Sequence, residues 1–166
     1  MIISLLNGKK ILVVDDEPDV LDLLEEEIMD ECPNCLIDKA TTYESAVNLL
    51  ESKPYDIVIL DIMGVRGFDL LDLAVKKDLK VAMLTAHALS SETLEKSIEM
   101  KAWAYLPKEK LGEIVPFLED MLRYDLQTCW KRLMDKLFGF FNDKFQPGWE
   151  KKTGGTHREC MAKPRL

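Results

Sequence analysis

Ile11-Leu-Val-Val-Asp-Asp-Glu-Pro18 joins an unbroken apolar run to acidic residues and a proline. Four apolar residues in succession predict a strand that is buried on both faces, as the strands of a parallel sheet are. The proline suits the first turn of a helix, where its missing N–H group leaves no hydrogen bond unmade. The segment therefore predicts a buried strand that ends in carboxylates and leads directly into a helix.

This alternation of apolar run and amphipathic stretch continues along the first 123 residues. Strands are predicted at residues 11–14, 36–40, 56–60, 80–84 and 102–106. Helices are predicted at residues 18–30, 43–52, 67–76, 91–100 and from residue 111 onward. Five strand–helix units in succession are typical of a parallel sheet with helices on both faces. The predicted fold is therefore α/β, a (βα)5 doubly wound parallel sheet with the flavodoxin-like strand order 2-1-3-4-5.

Helical periodicity continues past residue 123 without a further strand. Apolar residues recur at spacings of three and four, namely Leu126, Cys129, Trp130, Leu133, Met134, Leu137 and Phe141. Either the fifth helix runs on or a new helix starts near Asp125. The apolar stripe needs cover from the sheet, from another helix or from a second copy of the chain. We divide the chain into a sheet domain at residues 1–123, a helical extension at 124–147 and a basic tail at 148–166 that we expect to be flexible.

Composition places the chain among globular proteins with one main core. It has 166 residues, 47% of them hydrophobic, and a net charge of −8. Its apolar runs are far shorter than the roughly 20 residues of a membrane span, so we expect no span and a cytoplasmic location. The acidic body disfavours nucleic acid, whereas residues 151–166 hold five Lys or Arg against one Glu and leave the partner of the tail open.

Two of the four cysteines form the segment Cys32-Pro-Asn-Cys35. A redox pair of this spacing normally begins a helix, where the helix dipole lowers the thiol pKa, but this segment follows a helix. We therefore interpret it as a turn with a half-buried thiol. A zinc site shared with His157 and Cys160 is the alternative that the ligand types allow.

Chemically distinctive residues lie at the carboxyl ends of four predicted strands: Asp15-Asp16, Asp61, Thr85 and Lys108. Ligands of open α/β sheets bind at this edge, where the strand order reverses. Order 2-1-3-4-5 reverses between the first and third strands and so brings the three carboxylates together. Three carboxylates need compensating positive charge, and all-oxygen ligation favours Mg²⁺, while the lysine adds a second positive charge. A carboxylate in these surroundings is prepared to attack phosphorus.

Four segments resemble the signature segments of bacterial response regulator receiver domains. They are Ile11-Leu-Val-Val-Asp-Asp-Glu-Pro18, Ile57-Val-Ile-Leu-Asp-Ile-Met63, Met83-Leu-Thr-Ala-His87 and Tyr105-Leu-Pro-Lys108. Each is a weak signal alone, but the four occur in the family's order, and the resemblance covers about residues 9–123. It implies a protein of two-component signalling that accepts a phosphoryl group on an aspartate and then changes conformation.

The resemblance implies roles for the residues around the metal. Asp61 would be the phosphoacceptor. Asp16 would be a direct ligand of Mg²⁺, Asp15 a ligand or the holder of a metal-bound water, and the backbone carbonyl of Met63 a further ligand.

The same resemblance implies a two-position switch. Lys108 would pair with the phosphoryl oxygens, Thr85 would move to bond the phosphoryl group, and Tyr105 would turn inward behind it. His87, two residues after Thr85, lies where the family tunes dephosphorylation.

The sequence departs from the family in two places. After Asp61 the family has proline at the fourth position and glycine at the eighth, whereas this chain has Val65 at the fourth and Gly67 at the sixth. The loop is therefore about two residues short. The family also commonly has a proline after the lysine, whereas here Pro107 precedes Lys108.

The 43 residues after position 123 are too few for a typical output module, and they lack a helix-turn-helix pattern, so sequence-specific DNA binding is disfavoured. We expect phosphoryl transfer from a sensor histidine kinase or a phosphotransfer protein. We also expect a homodimer or a downstream protein contact through the C-terminal helix.

Three other functions compete with this interpretation. The basic tail can bind nucleic acid or a membrane surface, and the chain can be a receiver-like adaptor that signals without phosphorylation. A phosphatase that uses Asp61 is disfavoured because Met63 stands where such enzymes place a second aspartate as general acid. We therefore expect no enzyme activity beyond self-phosphorylation and self-dephosphorylation.

Overall fold

The computed structural model describes residues 3–150. The strands are β1 (Lys10–Val14), β2 (Leu36–Ala40), β3 (Ile57–Asp61), β4 (Lys80–Thr85) and β5 (Ala104–Pro107). The α-helices are α1 (Pro18–Glu31), α2 (Tyr43–Ser52), α3 (Gly67–Lys76), α4 (Ser91–Glu99), α5 (Ile114–Arg123) and α6 (Leu126–Lys144), and a 3-10 helix at Lys108–Glu113 precedes α5.

The five strands form one parallel sheet in the order β2-β1-β3-β4-β5, which confirms the predicted fold class. Val14 of β1 lies opposite Leu60 of β3, and Leu60 lies opposite Met83 of β4, so the carboxyl ends of these strands lie at one edge. Residues 11–14 and 57–60 are at most 1% exposed, as expected for strands with helices on both faces.

Several predicted strand boundaries were wrong by one or two residues, among them boundaries of β3, β4 and β5. β3 ends at Asp61 rather than at residue 60, and β4 includes Thr85. β5 begins at Ala104 rather than at residue 102, although Trp103 N–H already donates to the Val81 carbonyl at 2.7 Å. Strand ends are set by pairing with neighbouring strands, which residue type alone does not determine.

The predicted fifth helix from residue 111 was also wrong at its start. A 3-10 helix occupies Lys108–Glu113, and α5 follows from Ile114. Lys110 has φ −104° and ψ 16°, outside the helical range, and so separates the lysine segment from α5.

α6 is a separate helix rather than a continuation of α5. Tyr124 has an extended backbone, and the carboxylate of Asp125 accepts a hydrogen bond from the Thr128 N–H at 2.8 Å. Such a cap satisfies a backbone donor that the first turn leaves unpaired. Of the two arrangements that the sequence allows, the new helix near Asp125 is the correct one.

The sheet domain covers the apolar stripe of α6. Six residues of the helix are buried, namely Cys129, Trp130, Leu133, Met134, Leu137 and Phe141, and all but Cys129 belong to the hydrophobic core cluster that includes the strands. The indole N–H of Trp130 donates to the Ala102 carbonyl at 2.8 Å, and Arg132 lies 2.9 Å from Asp120 of α5. The three-part division of the chain stays a prediction, and residues 151–166 of its tail lie outside the described part.

Cys32 and Cys35 are both buried, with free thiols, in the turn after α1. The Cys35 thiol donates to the Leu6 carbonyl at 3.0 Å, and burial raises its pKa to about 12. The predicted turn is confirmed, but both thiols are buried rather than half-buried. A protonated, buried thiol is unreactive. His157 and Cys160 lie outside the described residues.

Within residues 3–150, no helix is both long and apolar enough to cross a membrane.

Candidate functional site

The candidate site lies at the carboxyl ends of β1 and β3. Asp15 directly follows β1, and its N–H donates to the Ala40 carbonyl at 3.1 Å, which continues the pairing of β1 with β2. Asp61 is the last residue of β3. These two strands are the neighbours between which the strand order reverses, so the sheet itself places both carboxylates at the predicted edge.

Three carboxylates converge there, as the sequence predicts. Asp15, Asp16 and Asp61 each offer an oxygen, and these oxygens lie within 4.8 Å of one another. Asp15 is 0% exposed and Asp61 is 4% exposed, whereas Asp16 is exposed. Two buried carboxylates so close to a third need a positive charge nearby.

Lys108, which follows β5 at the same edge of the sheet, supplies that charge. Its Nζ lies 2.8 Å from Asp15 Oδ2, 3.2 Å from Asp61 Oδ1 and 3.3 Å from Glu17 Oε1. Pro107 ends β5 opposite Thr85 of β4, so the lysine follows directly from a paired strand. The position of the proline before the lysine does not prevent the lysine from reaching the carboxylates.

Burial and charge shift the pKa values of these groups. Burial, together with the charge of Asp15, raises the pKa of Asp61 to about 6. Burial also raises the pKa of Asp15, against the opposing effect of Lys108. Burial lowers the pKa of Lys108, but its ion pairs with Asp15 and Asp61 outweigh that effect and bring the value to about 12. Near neutral pH the lysine is therefore fully charged.

Two buried oxygens of the site have no hydrogen-bond partner among the described residues, Thr85 Oγ1 and Asp15 Oδ2. The Asp15 oxygen has its ion pair with Lys108, while the Thr85 hydroxyl is 1% exposed at the end of β4. Buried polar groups are normally paired, so the Thr85 hydroxyl is positioned for a group that completes the site.

An open cavity of about 340 Å³ gives access to the carboxylates. It is lined by Asp16, Glu17, Asp61, Met63, Gly64, His87 and Ala88. The side chain of Met63 is 55% exposed, and His87 lies on the β4 side. The structure therefore places both of these predicted residues at the mouth of the site.

Tyr105 lies outside this cavity. Its hydroxyl is 2.7 Å from Thr93 Oγ1 and 3.2 Å from the backbone of Ser90, at the start of α4. Its ring is fully buried and contacts Phe141 of α6. The hydroxyl of the predicted switch tyrosine is therefore bonded to the start of α4 rather than to a residue of the cavity.

Sequence reasoning missed Glu17 as a member of the site. It directly follows the aspartate pair, its N–H donates to Asp15 Oδ1 at 2.9 Å, and its carboxylate faces Lys108. The three consecutive acidic residues at positions 15–17 were the available signal.

Sequence reasoning also missed Gly64. It has φ +91°, and a Cβ at this position would overlap the carboxylate of Asp16. At Gly67 a Cβ would overlap the backbone carbonyl of Asp61. The short loop after β3 therefore passes so close to the site that only glycine fits at these two positions. The spacing of the two glycines after Asp61 was the signal for this close approach.

Comparison with protein families gives a match to the response regulator receiver domain over residues 11–118. A curated relative, the two-component response regulator ARR18 of Arabidopsis thaliana, is 36% identical over 107 residues, which is 61% of this chain. The chain spans 16% of the length of that relative.

Solved structures show the same fold. The receiver domain of NtrX from Brucella abortus is 30% identical, with a TM-score of 0.61 and coverage of 69% of this chain and 99% of that one. A CheY-like receiver domain protein from Methanospirillum hungatei is 24% identical, with a TM-score of 0.57 and coverage of 68% and 94%.

Proposed function

The chain belongs to the response regulator receiver domain family, and from this membership we propose that it accepts a phosphoryl group on Asp61 in a Mg²⁺-dependent reaction and then changes its protein contacts. The donor is a phosphohistidine of a sensor histidine kinase or of a phosphotransfer protein, in the cytoplasm. The chain has no turnover of an external substrate beyond its own phosphorylation and dephosphorylation.

The observation that carries this proposal is the position of Asp61. Its Oδ1 lies 3.2 Å from Lys108 Nζ, and its carboxylate opens on the cavity that the metal-binding candidates line. A carboxylate of this kind is a nucleophile next to a fixed positive charge, which is what transfer of an anionic phosphoryl group requires.

The transfer proceeds by attack of an Asp61 carboxylate oxygen on phosphorus. The new O–P bond forms an acyl phosphate, and the bond between phosphorus and the donor nitrogen breaks with its electron pair remaining on the imidazole. Lys108 neutralises the charge on the phosphoryl oxygens. The hydroxyl of Thr85, which has no partner in the described structure, donates to one of those oxygens.

The residues of the site fit a divalent cation with oxygen ligands. Each of the three carboxylates offers an oxygen within 4.8 Å of the other two, and Asp15 and Asp61 are buried. Asp15, Asp16, Asp61 and the Met63 carbonyl would hold Mg²⁺. When bound, the metal supplies positive charge to the oxygens of the transferring group.

A phosphatase function is disfavoured by the side chains that line the cavity. Turnover of a phosphomonoester needs a general acid for the leaving alkoxide, and Met63 cannot supply a proton. His87 lies on the cavity wall, where it is available to adjust the lifetime of the acyl phosphate.

The test is incubation with acetyl phosphate and Mg²⁺, followed by measurement of intact mass. Wild type should gain one phosphoryl mass, whereas Asp61→Asn and wild type in EDTA should gain none. Light scattering on the same samples reports a change of oligomeric state. Labelling of Asp61→Asn contradicts the assigned acceptor, and absence of labelling with retained Mg²⁺ binding favours an adaptor that signals without phosphorylation.

A further inference from the structure

We infer that residues 137–149 pack against the region of the switch residues Thr85, Tyr105 and Lys108 and are released from it when Asp61 is phosphorylated. We call residues 137–149 the docked segment. The docked segment comprises the second half of α6 and the residues that follow it. This inference rests on the proposed function. It identifies the part of this chain whose contacts change on phosphorylation. It also requires that weaker docking of this segment favour phosphorylation.

The first contact joins the docked segment to Tyr105. The Tyr105 and Phe141 rings lie 6.0 Å apart between centroids at an angle of 59°, and both side chains are fully buried. Phe141 in turn stacks on Phe145 at 5.1 Å and meets the edge of Trp149 at 6.0 Å. Tyr105 is therefore one member of an aromatic cluster whose other members belong to the docked segment.

The second contact faces the loop between β4 and α4. A cavity of about 210 Å³ lies between this loop and the docked segment, with Leu89, Ser90, Ser91 and Glu92 on one wall and Lys144, Phe145, Gln146, Pro147 and Trp149 on the other. The loop follows Thr85, and the Tyr105 hydroxyl is bonded to Ser90 within it. A movement of Thr85 would therefore displace the loop residues that form one wall of this cavity.

The third contact involves the residues after Lys108. Lys144 Nζ lies 3.5 Å from Glu109 Oε1, and the Phe140 ring lies 5.6 Å from both Lys144 Nζ and Lys110 Nζ. The docked segment therefore contacts the chain next to all three residues that would respond to a phosphoryl group: Thr85, Tyr105 and Lys108.

The strand register links Thr85 to Tyr105. Met83 lies opposite Tyr105 and Thr85 lies opposite Pro107, so Thr85 and Tyr105 are diagonal neighbours on one face of the sheet. If the Thr85 hydroxyl moves to a phosphoryl oxygen, it vacates volume beside the Tyr105 ring. A ring that fills this volume leaves Phe141 and loses its bonds to Thr93 and Ser90. Phosphorylation therefore weakens the hold on the docked segment.

Coupling between two sites is reciprocal, so weaker docking must favour the phosphorylated state by the same factor. Phe141→Leu removes the ring contact with Tyr105 but keeps an apolar side chain. It should raise the affinity for beryllofluoride, a phosphoryl mimic, about fivefold in the presence of Mg²⁺. Lys144→Met removes the pair with Glu109 and should raise it about twofold. Lys136→Met is the matched control, since Lys136 also lies on α6 with similar exposure but pairs with Asp120 of α5.

The experiment uses the full chain with Mg²⁺, with and without beryllofluoride. Calorimetry gives the affinity, with Asp61→Asn as the variant that should not bind. Amide hydrogen exchange should become faster in residues 137–149 on binding, while residues 126–136 in the first half of α6 keep their exchange rates.

Two failures are distinguishable. If wild type neither binds beryllofluoride nor gains mass from acetyl phosphate, the proposed function is wrong and this inference falls with it. If it binds while exchange of residues 137–149 is unchanged or slower, or if Phe141→Leu and Lys144→Met bind no more tightly than Lys136→Met, the inference alone is overturned.

Discussion

Lys108 Nζ lies closer to Asp15 Oδ2, at 2.8 Å, than to the nearest oxygen of the proposed acceptor Asp61, at 3.2 Å. The lysine therefore balances two buried carboxylates at once, and its side chain is only 11% exposed. Removal of one partner from a buried ion pair is costly because it leaves the other charge unpaired in a medium that solvates it poorly.

Lys108→Met should lower the free energy of unfolding by about 3 kcal/mol at pH 7.5. At pH 4.5 the loss should be smaller, because Asp61, with a pKa of about 6, is then protonated, so that one of the two carboxylates no longer needs a partner. Urea unfolding at the two pH values measures the difference. Lys76→Met, which removes an exposed pair with Asp72, should have little effect at either pH, and an equal loss at both pH values would contradict the prediction.

Asp61→Asn should stabilise the metal-free protein above pH 7. The pKa of Asp61 is raised in the folded state from 3.8 to about 6, so ionisation is harder in the folded chain, and stability falls as pH rises from about 4 to about 6. The amide removes this penalty, which amounts to roughly 1–3 kcal/mol at about 1.4 kcal/mol per unit of pKa. Thermal unfolding in EDTA should show the gain at pH 7.5 and none at pH 4. A gain that is the same at both pH values would refute the assignment to Asp61.

Gly64→Ala should weaken Mg²⁺ binding at least tenfold, because its Cβ would overlap the Asp16 carboxylate and push it from the site. Gly8→Ala is the matched control. Gly8 also has a positive φ, +75°, but a Cβ there meets nothing within 4 Å, so the two variants share the backbone strain and differ in the contact. Calorimetric titration with MgCl₂ gives both affinities. Equal loss in both variants would mean that strain, rather than the position of Asp16, is responsible.

A chain that ends at residue 124 should have a free energy of unfolding at least about 3 kcal/mol lower than that of the full chain. It should therefore unfold at a lower urea concentration. α6 contributes Trp130 and Phe141 to the core, and each is 0% exposed, so truncation uncovers the surface that they bury. Far-UV circular dichroism during urea titration measures the loss. An unchanged midpoint would show that the sheet domain is stable without α6.

The fold was predictable from sequence because its signals are local. Apolar runs such as residues 11–14, the proline at position 18 and the acidic residues at strand ends each report a neighbour a few positions away. The parallel order then brings Asp15, Asp16 and Asp61 together without further information.

Features that depend on distant contacts were not predictable in this way. The start of β5 is set by pairing with β4. The apolar stripe of α6 is covered by a core that forms only in the folded chain. Glu17 belongs to the site through its contact with Lys108, 91 positions away. Gly64 belongs to it through its close approach to Asp16, 48 positions away. Tyr105 meets Phe141 across 36 positions, and no periodicity in either segment indicates the other.

The bond from Trp130 to the Ala102 carbonyl also bears on how two copies of the chain can associate. β5 is the last strand of the sheet, and an unpaired strand edge is a template for the addition of a strand from another molecule. α6 contacts β5, and a strand that arrived at this edge would have to displace the indole from the backbone that leads into it. With α6 in place, β-strand exchange between copies through the β5 edge is therefore obstructed.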